Sequence, residues 1–372
     1  METRFSIEEE SFRAEVRAAL APFADVKGFL PNASRDRMMA VYAELARRNW
    51  LALSWPREYG GEGRPETYEF ILWDEMAYAR AGRPTLGAGI IAKTIMRFGT
   101  DDQKAKWLPP IRKNEIGFCI GYSETEAGSD LASLRTRAER VGDHYVVNGE
   151  KIWTSDAEHE DYVWLLVRTG APESRGAGLS LLIVDIRSPG IELSNGRHMD
   201  GHLYSQVFYT DVKVPVDNLI GPENGAWPIL GAALADERHV QFVSKRVLRD
   251  FEDAVTWLGD NGLADDAVVR TRLAGLRVRV AESEALCLQV LSDMGNHKDA
   301  AVAAAANKVT HSDVIQEIAR FVMDVGGAEV TVSARSDDPV GLWRQTMIES
   351  IGGGTSQIMK SIIARQELGL AS

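Results

Sequence analysis

The hydrophobic pattern of this chain changes character twice along its 372 residues. Up to about residue 114, segments such as FRAEVRAALAPF and RDRMMAVYAELARRNW carry apolar residues three and four apart, which is the periodicity of helices. From about residue 117, short segments rich in β-branched and aromatic residues predict strands. From Trp227 the helical periodicity returns. The pattern predicts an α+β multidomain chain: a helical domain over 1–115, a β-barrel or sandwich over 116–222 and a four-helix bundle over 223–372.

The individual elements follow from the same pattern. The strand segments are GFCIGYSE, HYVVNGEKIWTS, DYVWLLVRT, LSLLIVDI and QVFYTDVKVP. One long helix is predicted from the apolar positions Val240, Val243, Val247, Phe251, Ala254 and Leu258. Three further helices are predicted from RLAGLRVRVAESEALCLQVL, AAAANKVTHSDVIQEIARFVMDV and TSQIMKSIIARQEL.

Charge and composition exclude several classes of protein. The 42 basic and 54 acidic residues give a net charge of −12, which argues against nucleic acid as the main partner. No run approaches the roughly 18 apolar residues of a membrane span, and the opening METRFSIEEESFRAEV is too acidic for a signal peptide. Two cysteines, Cys119 and Cys287, cannot form a disulfide framework. We therefore expect an unprocessed cytoplasmic protein without a membrane span.

Several common sites are not predicted. The glycine clusters YGGEG, GRPTLGAG, VGGAE and GGGTS do not lie between a hydrophobic strand and a helix, as a Rossmann or Walker A loop would. His198 and His202 are four residues apart, but their surroundings read as loop and strand and no third ligand is evident, so no metal site is expected. A hydrolase is not supported, because no G-x-S-x-G elbow is present.

Two polar segments are more informative. In YSETEAGSDLAS, backbone N–H groups and the Ser129 hydroxyl could bind phosphate or a polar heterocycle, although a plain polar loop has the same composition. In GEKIWTS, Trp153 and Ser155 alternate with Thr154 on a predicted strand and should face the same side. An aromatic plane beside a hydroxyl suits a flat ring as ligand.

These segments also carry a family resemblance. YSETEAGSD, GEKIWTS, VKVPVDNLIGPENGAW and DVGG followed by IGGGTSQIMKSIIARQELG together resemble the acyl-CoA dehydrogenases, and they stand in the right order over essentially the whole chain. The resemblance implies an FAD between the β domain and the C-terminal bundle. It also implies an electron-transfer flavoprotein as electron acceptor and an acyl-CoA or carrier-bound acyl substrate.

The resemblance assigns residues to the cofactor. It places Tyr122 and Ser123 at the flavin, Gly128 and Ser129 along the pyrophosphate and the entering acyl-CoA, Trp153 over the flavin ring and Ser155 at its N5 edge. In the C-terminal third, Gly326 and Gly327 match paired glycines that approach the FAD of a neighbouring subunit, and Thr355 with Gln357 matches a flavin-binding TxQ motif.

The reaction implied is α,β-dehydrogenation of a thioester, in which a carboxylate removes the α-proton and the β-hydrogen leaves as hydride to flavin N5. In many family members that carboxylate comes just before the GT of the C-terminal motif, where this chain has Gly353. The backbone N–H of Gly353 can still bond the thioester oxygen. A second family arrangement places glutamate before arginine early in the bundle, which assigns Glu237 as the base and Arg238 to the substrate.

Helix geometry alone favours a different carboxylate. Relative to the Val240 and Val247 stripe, Asp236 projects about 20° away and Glu237 about 80° away. We keep Glu237 as the predicted base because the resemblance places glutamate immediately before arginine. A solvated Asp-Glu-Arg triplet near a helix start is the other interpretation.

The chain departs from the family in one further respect. The R-x-x-F-G motif that commonly reaches the flavin of an adjacent subunit is missing, and WLGDNGLADDAVVRTRLAG stands in its place. Arg270 or Arg272 could substitute, or could occupy ordinary surface positions. Assembly as a homodimer, a homotetramer or a mixed tetramer with a second acyl-CoA dehydrogenase chain is expected. A non-catalytic or half-site subunit is the alternative function.

Overall fold

The computed structural model describes residues 5–24, 26, 34–331 and 339–370, and for residues 234–239, 329, 331 and 339 it describes the backbone only. Helices occupy both ends of the chain. They are α1 (Ile7–Leu20), α2 (Arg35–Arg47), α3 (Glu66–Tyr78), α4 (Ala92–Phe98), α5 (Asp101–Arg112), α6 (Ala226–Gln241), α7 (Ser244–Asp260), α8 (Ala267–Gly295), α9 (Ala301–Thr331), α10 (Pro339–Glu349) and α11 (Ser356–Gln366). Local sequence explains some starts: Ser6 with Glu9 and Thr100 with Gln103 form capping boxes at α1 and α5.

The middle of the chain forms one eight-stranded sheet. Its strands are β1 (Phe118–Gly121), β2 (Arg137–Val141), β3 (His144–Ser155), β4 (Tyr162–Arg168), β5 (Leu179–Asp185), β6 (Ile191–Arg197), β7 (Leu203–Pro215) and β8 (Leu219–Ile220). The order is β6-β7-β3-β2-β4-β5-β8, and β1 pairs with β4 in parallel. The predicted succession of helical, β and helical thirds is confirmed.

The chain forms two compact units that do not follow chain order. We call residues 45–62 and 85–237 the sheet unit, and residues 1–44, 63–84 and 238–372 the bundle unit. The sheet unit has a core of strand side chains such as Val147, Leu165 and Val207. The bundle unit has a core between α7, α8 and α9 that includes Val280 and Phe321. The predicted domain boundaries at 115 and 222 stay predictions.

The single long helix predicted through Val243 is wrong, because the chain breaks between α6 and α7. Val243 is extended, with φ −77° and ψ 146°. The carbonyl of Phe242 accepts a hydrogen bond from the side-chain amide of Asn307 at 3.0 Å. The Asp74 carboxylate accepts from the N–H of Lys245 at 2.9 Å, which supplies a cap for α7 from another helix. Both contacts compete with a continuous helix.

No described helix, over residues 5–24, 26, 34–331 and 339–370, combines the length and apolar character that a bilayer span requires.

Candidate active site

The end of β3 presents an aromatic ring and a hydroxyl to solvent. Trp153 is 53% exposed and Ser155 is exposed, whereas Thr154 between them is buried, in agreement with the predicted alternation. The pairing of β3 with β7 shifts between Lys151 and Thr154, so β3 carries an extra residue there, as in a β-bulge. Trp153 lies in this bulge with a left-handed φ of 62°. The bulge therefore determines how the ring is presented.

The segment after β1 lies beside the bulge. The carbonyl of Ser123 accepts a hydrogen bond from the N–H of Ile152 at 2.9 Å. The Tyr122 hydroxyl accepts one from the indole N–H of Trp164 at 3.1 Å. Tyr122 and Ser123 are both partly exposed. The structure thus brings these two residues next to the strand that carries Trp153.

A buried ion pair lies beneath this segment, and the sequence patterns did not point to it. The Lys151 ammonium lies 2.8 Å from the Glu124 carboxylate, and their side chains are 0% and 7% exposed. Burial lowers the pKa of Lys151 to about 8, and the Glu124 carboxylate opposes that change. Burial also opposes ionisation of Glu124, but Lys151 and hydrogen-bond donors outweigh it, so the pKa of Glu124 lies below its ordinary value. The 2.8 Å contact favours the charged form of each group, against the cost of burial.

Gly128 and Ser129 form an exposed bend directly after a turn. Glu124 and Ala127 close that turn with two backbone hydrogen bonds of 3.0 and 3.1 Å. A Cβ atom added to Gly128 would meet no heavy atom within 4 Å. Ser129 is exposed, and the next residue, Asp130, forms an ion pair with Arg175. The bend leaves both predicted ligand-binding residues, Gly128 and Ser129, accessible.

The two histidines considered as metal ligands have other contacts. The His198 ring stacks on Trp153 with a centroid distance of 5.5 Å, and burial lowers the pKa of His198. His202 pairs with Asp200 at 2.8 Å. Tyr204 packs on the same tryptophan at 4.5 Å. His198 and Tyr204 therefore support the ring of Trp153.

The glycine-rich loop of the bundle unit ends in a helix cap. Gly353 and Gly354 have φ values of 68° and 90°. Thr355 is the N-cap of α11, and its hydroxyl accepts from the N–H of Ile358 at 3.2 Å. Gln357 is exposed. A Cβ atom at Gly353 would lie 3.5 Å from the ring of Phe242, just after the end of α6.

Ion pairs with Glu349 anchor the start of this loop. Glu349 at the end of α10 receives a hydrogen bond from Arg83 at 3.2 Å, and Arg246 lies 3.9 Å away. Burial opposes ionisation of Glu349, but the two guanidinium groups outweigh it and hold the pKa of Glu349 below its ordinary value. The backbone carbonyl of Glu349 also accepts from Ser312 at 2.9 Å. These contacts fix the residue from which the loop departs.

The paired glycines lie at a kink in α9. Gly327 has φ 70° and ψ −154°, which interrupts the helix. A Cβ atom at Gly326 would approach Trp257 to 2.8 Å and Val330 to 2.5 Å. Local packing is therefore sufficient reason for glycine at 326. Gly327 is exposed.

The predicted base lies in α6, where the backbone alone is described. Glu237, Arg238 and the alternative Asp236 are helical, and their side chains lie outside the described part of the chain. The angular argument for Asp236 is wrong in its premise, because it measured positions in α6 against Val247, which belongs to α7.

The arginines considered as substitutes for R-x-x-F-G differ in environment. Arg272 donates to Asp324 at 3.0 Å and lies 4.6 Å above the ring of Phe321. Arg270 is exposed on α8. Arg272 is therefore engaged within its own bundle unit.

Comparisons with known proteins cover almost the entire chain. Residues 6–115, 119–212 and 246–368 match the models of the acyl-CoA dehydrogenase N-terminal, middle and C-terminal domains. The acyl-CoA dehydrogenase FadE26 of Mycobacterium tuberculosis is 38% identical over 88% of this chain and 86% of its own length. FadE29 of the same organism is 34% identical over 88% of this chain and 87% of its own length.

Solved structures agree with these relatives. The Tcur3481-Tcur3483 steroid ACAD superposes with a TM-score of 0.91 at 31% identity and covers 100% of both chains. The ChsE4-ChsE5 complex from Mycobacterium tuberculosis gives a TM-score of 0.88 at 32% identity, again over 100% of both chains. The chain therefore belongs to the acyl-CoA dehydrogenases, a family of flavin-dependent oxidoreductases.

Proposed function

We propose that this chain binds FAD on the Trp153 surface and dehydrogenates an acyl thioester with Glu237 as the base. The residues fit a flat heterocycle: a half-exposed indole lies beside the exposed Ser155 and the partly exposed Ser123, while the exposed bend at Gly128 leaves room for a polar chain. Bound FAD would supply a hydride acceptor for the β-hydrogen. The protein's own task is to bind the thioester and remove the α-proton.

The environment of Gly353 supports Glu237 as the base. Gly353 occupies the position where many family members carry the carboxylate, and a Cβ atom added there would lie 3.6 Å from Gln241 and 3.5 Å from Phe242. Gln241 follows Glu237 by one helical turn in α6, so the two positions share a helix face. We therefore propose that a carboxylate on α6 takes the place of the one that many family members carry in this loop.

Proton abstraction needs polarisation as well as a base. The α-C–H of a thioester is a weak acid, so donors must stabilise the charge that develops on the thioester oxygen. The backbone N–H of Gly353 donates to none of the described residues. We assign it that role, with Arg238 and Ser129 binding the rest of the substrate.

Replacement of Glu237 tests the base. Glu237→Gln keeps the size of the side chain but cannot accept the proton, so flavin reduction by substrate should fall by about 10²-fold or more while substrate binding persists. Anaerobic stopped-flow absorbance measures reduction, and Asp236→Asn is the control with a small expected effect. The double variant Glu237→Gly/Gly353→Glu should recover part of the rate. Wild-type reduction in Glu237→Gln would exclude Glu237 as the base.

We propose a steroid-derived acyl thioester as substrate. The support is similarity over the full chain to the steroid ACAD at 31% identity. An anaerobic screen of thioesters for flavin bleaching, with straight-chain, branched and steroid side-chain acyl groups on CoA, identifies the substrate. Bleaching by straight-chain thioesters alone would contradict the steroid assignment.

An electron-transfer flavoprotein is the proposed electron acceptor. The buried free cysteines fit a cytoplasmic location.

A half-site subunit is the second candidate function. Arg272 is engaged with Asp324 and Phe321, which favours a flavin site whose missing R-x-x-F-G contact comes from another chain. The similarity to the ChsE4-ChsE5 complex supports a mixed assembly. Flavin content of the chain purified alone and with a second acyl-CoA dehydrogenase chain separates the two functions.

A further inference from the structure

The Lys151–Glu124 pair combines full burial with hydrogen bonds to several backbone segments. Lys151 donates to the Glu124 carboxylate at 2.8 Å and to the carbonyl of Tyr122 at 3.0 Å. Glu124 also accepts from the N–H groups of Arg135 at 2.6 Å and Thr136 at 2.8 Å. The pair thus ties β3 to the Tyr122 segment and to the residues just before β2.

Stability alone does not account for such a pair. Removing two charges from water costs several kcal/mol for each ion, so a buried pair is often no more stabilising than apolar side chains of the same volume. What the pair does supply is a fixed geometry, because each polar atom has a defined partner.

The geometry that it fixes is that of the bulge. Lys151 is the last residue in regular pairing with β7 before the shift, and Thr154, which is buried, resumes that pairing. Between them, Ile152 bonds to Ser123 and Trp153 adopts its left-handed φ. A non-glycine residue in that conformation persists only where its surroundings enforce it. Lys151 anchors one end of the bulge, and through the Tyr122 carbonyl it anchors the neighbouring segment too.

We propose that Lys151 and Glu124 are positioning residues that hold Trp153 and Ser123 in the arrangement that receives the flavin ring. This inference rests on the proposed function, because it takes Trp153 and Ser123 as flavin-binding residues. Neither Lys151 nor Glu124 needs to touch the cofactor.

Lys151→Met tests the inference, because it keeps an unbranched apolar stem of similar length and removes the ammonium group. With fluorine-labelled tryptophan, the Trp153 resonance, assigned by Trp153→Phe, should shift or broaden in Lys151→Met. The dissociation constant for FAD, measured by flavin fluorescence quenching, should rise by about tenfold or more. Tyr145→Phe is the matched control: it removes a hydrogen bond to Glu223 at the other end of β3 and should change neither readout.

A double-mutant cycle separates positioning from general destabilisation. If Lys151 acts through Trp153, Lys151→Met should weaken FAD binding far less in a Trp153→Ala background than in the wild type. Additive effects, or a Trp153 resonance and FAD affinity that both stay at wild-type values, would overturn the inference. If Lys151→Met does not fold, Glu124→Gln is measured in the same way, because it removes the other charge and keeps an amide oxygen as acceptor.

The two proposals can fail separately. A wild-type protein that binds no FAD, alone or with a partner chain, would contradict the proposed function. The fluorine resonance would then still decide whether the pair positions Trp153, because that readout needs no cofactor.

Discussion

His311 is a fully buried histidine in the bundle unit, packed edge-on against Phe242 with a centroid distance of 5.5 Å. Its Nδ1 atom has no hydrogen-bond partner among the described residues. Burial lowers the pKa of His311 to about 4 from an ordinary value of 6.5, although the nearby Glu349 opposes that change. The folded protein therefore keeps this ring neutral where an unfolded chain would protonate it.

His311 should make the protein sensitive to acid. Between pH 6.5 and pH 4 the unfolded state binds a proton that the folded state does not, so stability is present above 6.5 and is lost as the pH falls towards 4. The difference in pKa corresponds to about 3 kcal/mol in the free energy of unfolding. In His311→Gln that loss should be absent, as measured by urea unfolding at pH 7 and pH 4.5.

The free energies of unfolding of wild type and His311→Gln are compared at the same pH. Burial raises the pKa of Asp74 to about 6, so Asp74 favours the folded state as the pH falls, and this opposite contribution cancels in the difference. Equal loss of stability on acidification in wild type and His311→Gln would show that His311 does not control it.

Individual candidate site residues could be predicted from the sequence only where a pattern of alternation or spacing indicates them. Trp153 and Ser155 followed from alternation on a strand, and burial agrees with that alternation. Lys151 could not be found in this way, because a lysine in a strand usually indicates a solvent-facing position, and its partner Glu124 lies 27 residues earlier. Charge pairing across that separation is visible only after folding.

Among the elements, strands with strong hydrophobic patterns were predicted and weak ones were missed. β4 and β5 are buried almost throughout, and their apolar runs identified them. β6 is mostly exposed on both faces, so it has no apolar alternation, and β2 buries only Ala138. The break at Val243 could not be predicted from hydrophobic periodicity. It depends on contacts with Asp74 and Asn307, which are distant in the sequence.

The loop between α10 and α11 should tolerate alanine in a graded way. Gly352 has no left-handed φ, whereas Gly353 has φ 68° with room for a Cβ atom, and at Gly354 a Cβ atom would lie 2.7 Å from Met359. Gly352→Ala should be nearly neutral. Gly353→Ala should cost about 1 kcal/mol from backbone strain, and Gly354→Ala about 2 kcal/mol or more from strain and overlap.

Chemical denaturation of the three variants measures this order directly. In the proposed mechanism Gly353 contributes only its backbone N–H, which alanine retains. Gly353→Ala should therefore lower the free energy of unfolding while the rate of flavin reduction changes little. A Gly353→Ala protein more stable than Gly352→Ala would contradict the backbone explanation.

At the scale of the whole molecule, the single chain leaves apolar side chains uncovered near its C-terminal end. Ile351, Leu368 and Leu370 are 64%, 62% and 56% exposed, and Ile358 is 37% exposed. Large apolar side chains concentrated in one segment are typical of a surface that another chain covers. Together with the missing R-x-x-F-G motif, this favours an obligate assembly.

Co-expression with a second acyl-CoA dehydrogenase chain should yield a mixed tetramer that retains more flavin per chain than this chain purified alone, since the partner completes the cofactor site. Light scattering gives the mass, and the ratio of flavin to protein absorbance after desalting gives the occupancy. A monomer of 41.0 kDa with one flavin and full activity would contradict the prediction.

The order of helical and β regions along the chain could be predicted from the sequence. Which regions pack together in the sheet unit or in the bundle unit could not. Periodicity assigns α3 to the first third, yet α3 belongs to the bundle unit together with α7. The contact depends on Asp74 and Lys245, which are far apart in the chain. Segment order is a local property of the sequence, whereas grouping depends on which surfaces complement each other.

The burial of both cysteines has a practical consequence for labelling. Cys119 and Cys287 are 0% and 3% exposed, and burial raises the pKa of each thiol. Thiolate is the form that reacts with maleimides, so the native protein should take up such a dye very slowly. A Ser155→Cys variant would then carry one accessible thiol, beside Trp153. The rate at which that thiol is alkylated would then report how often a molecule bound over Trp153 dissociates and exposes the surface.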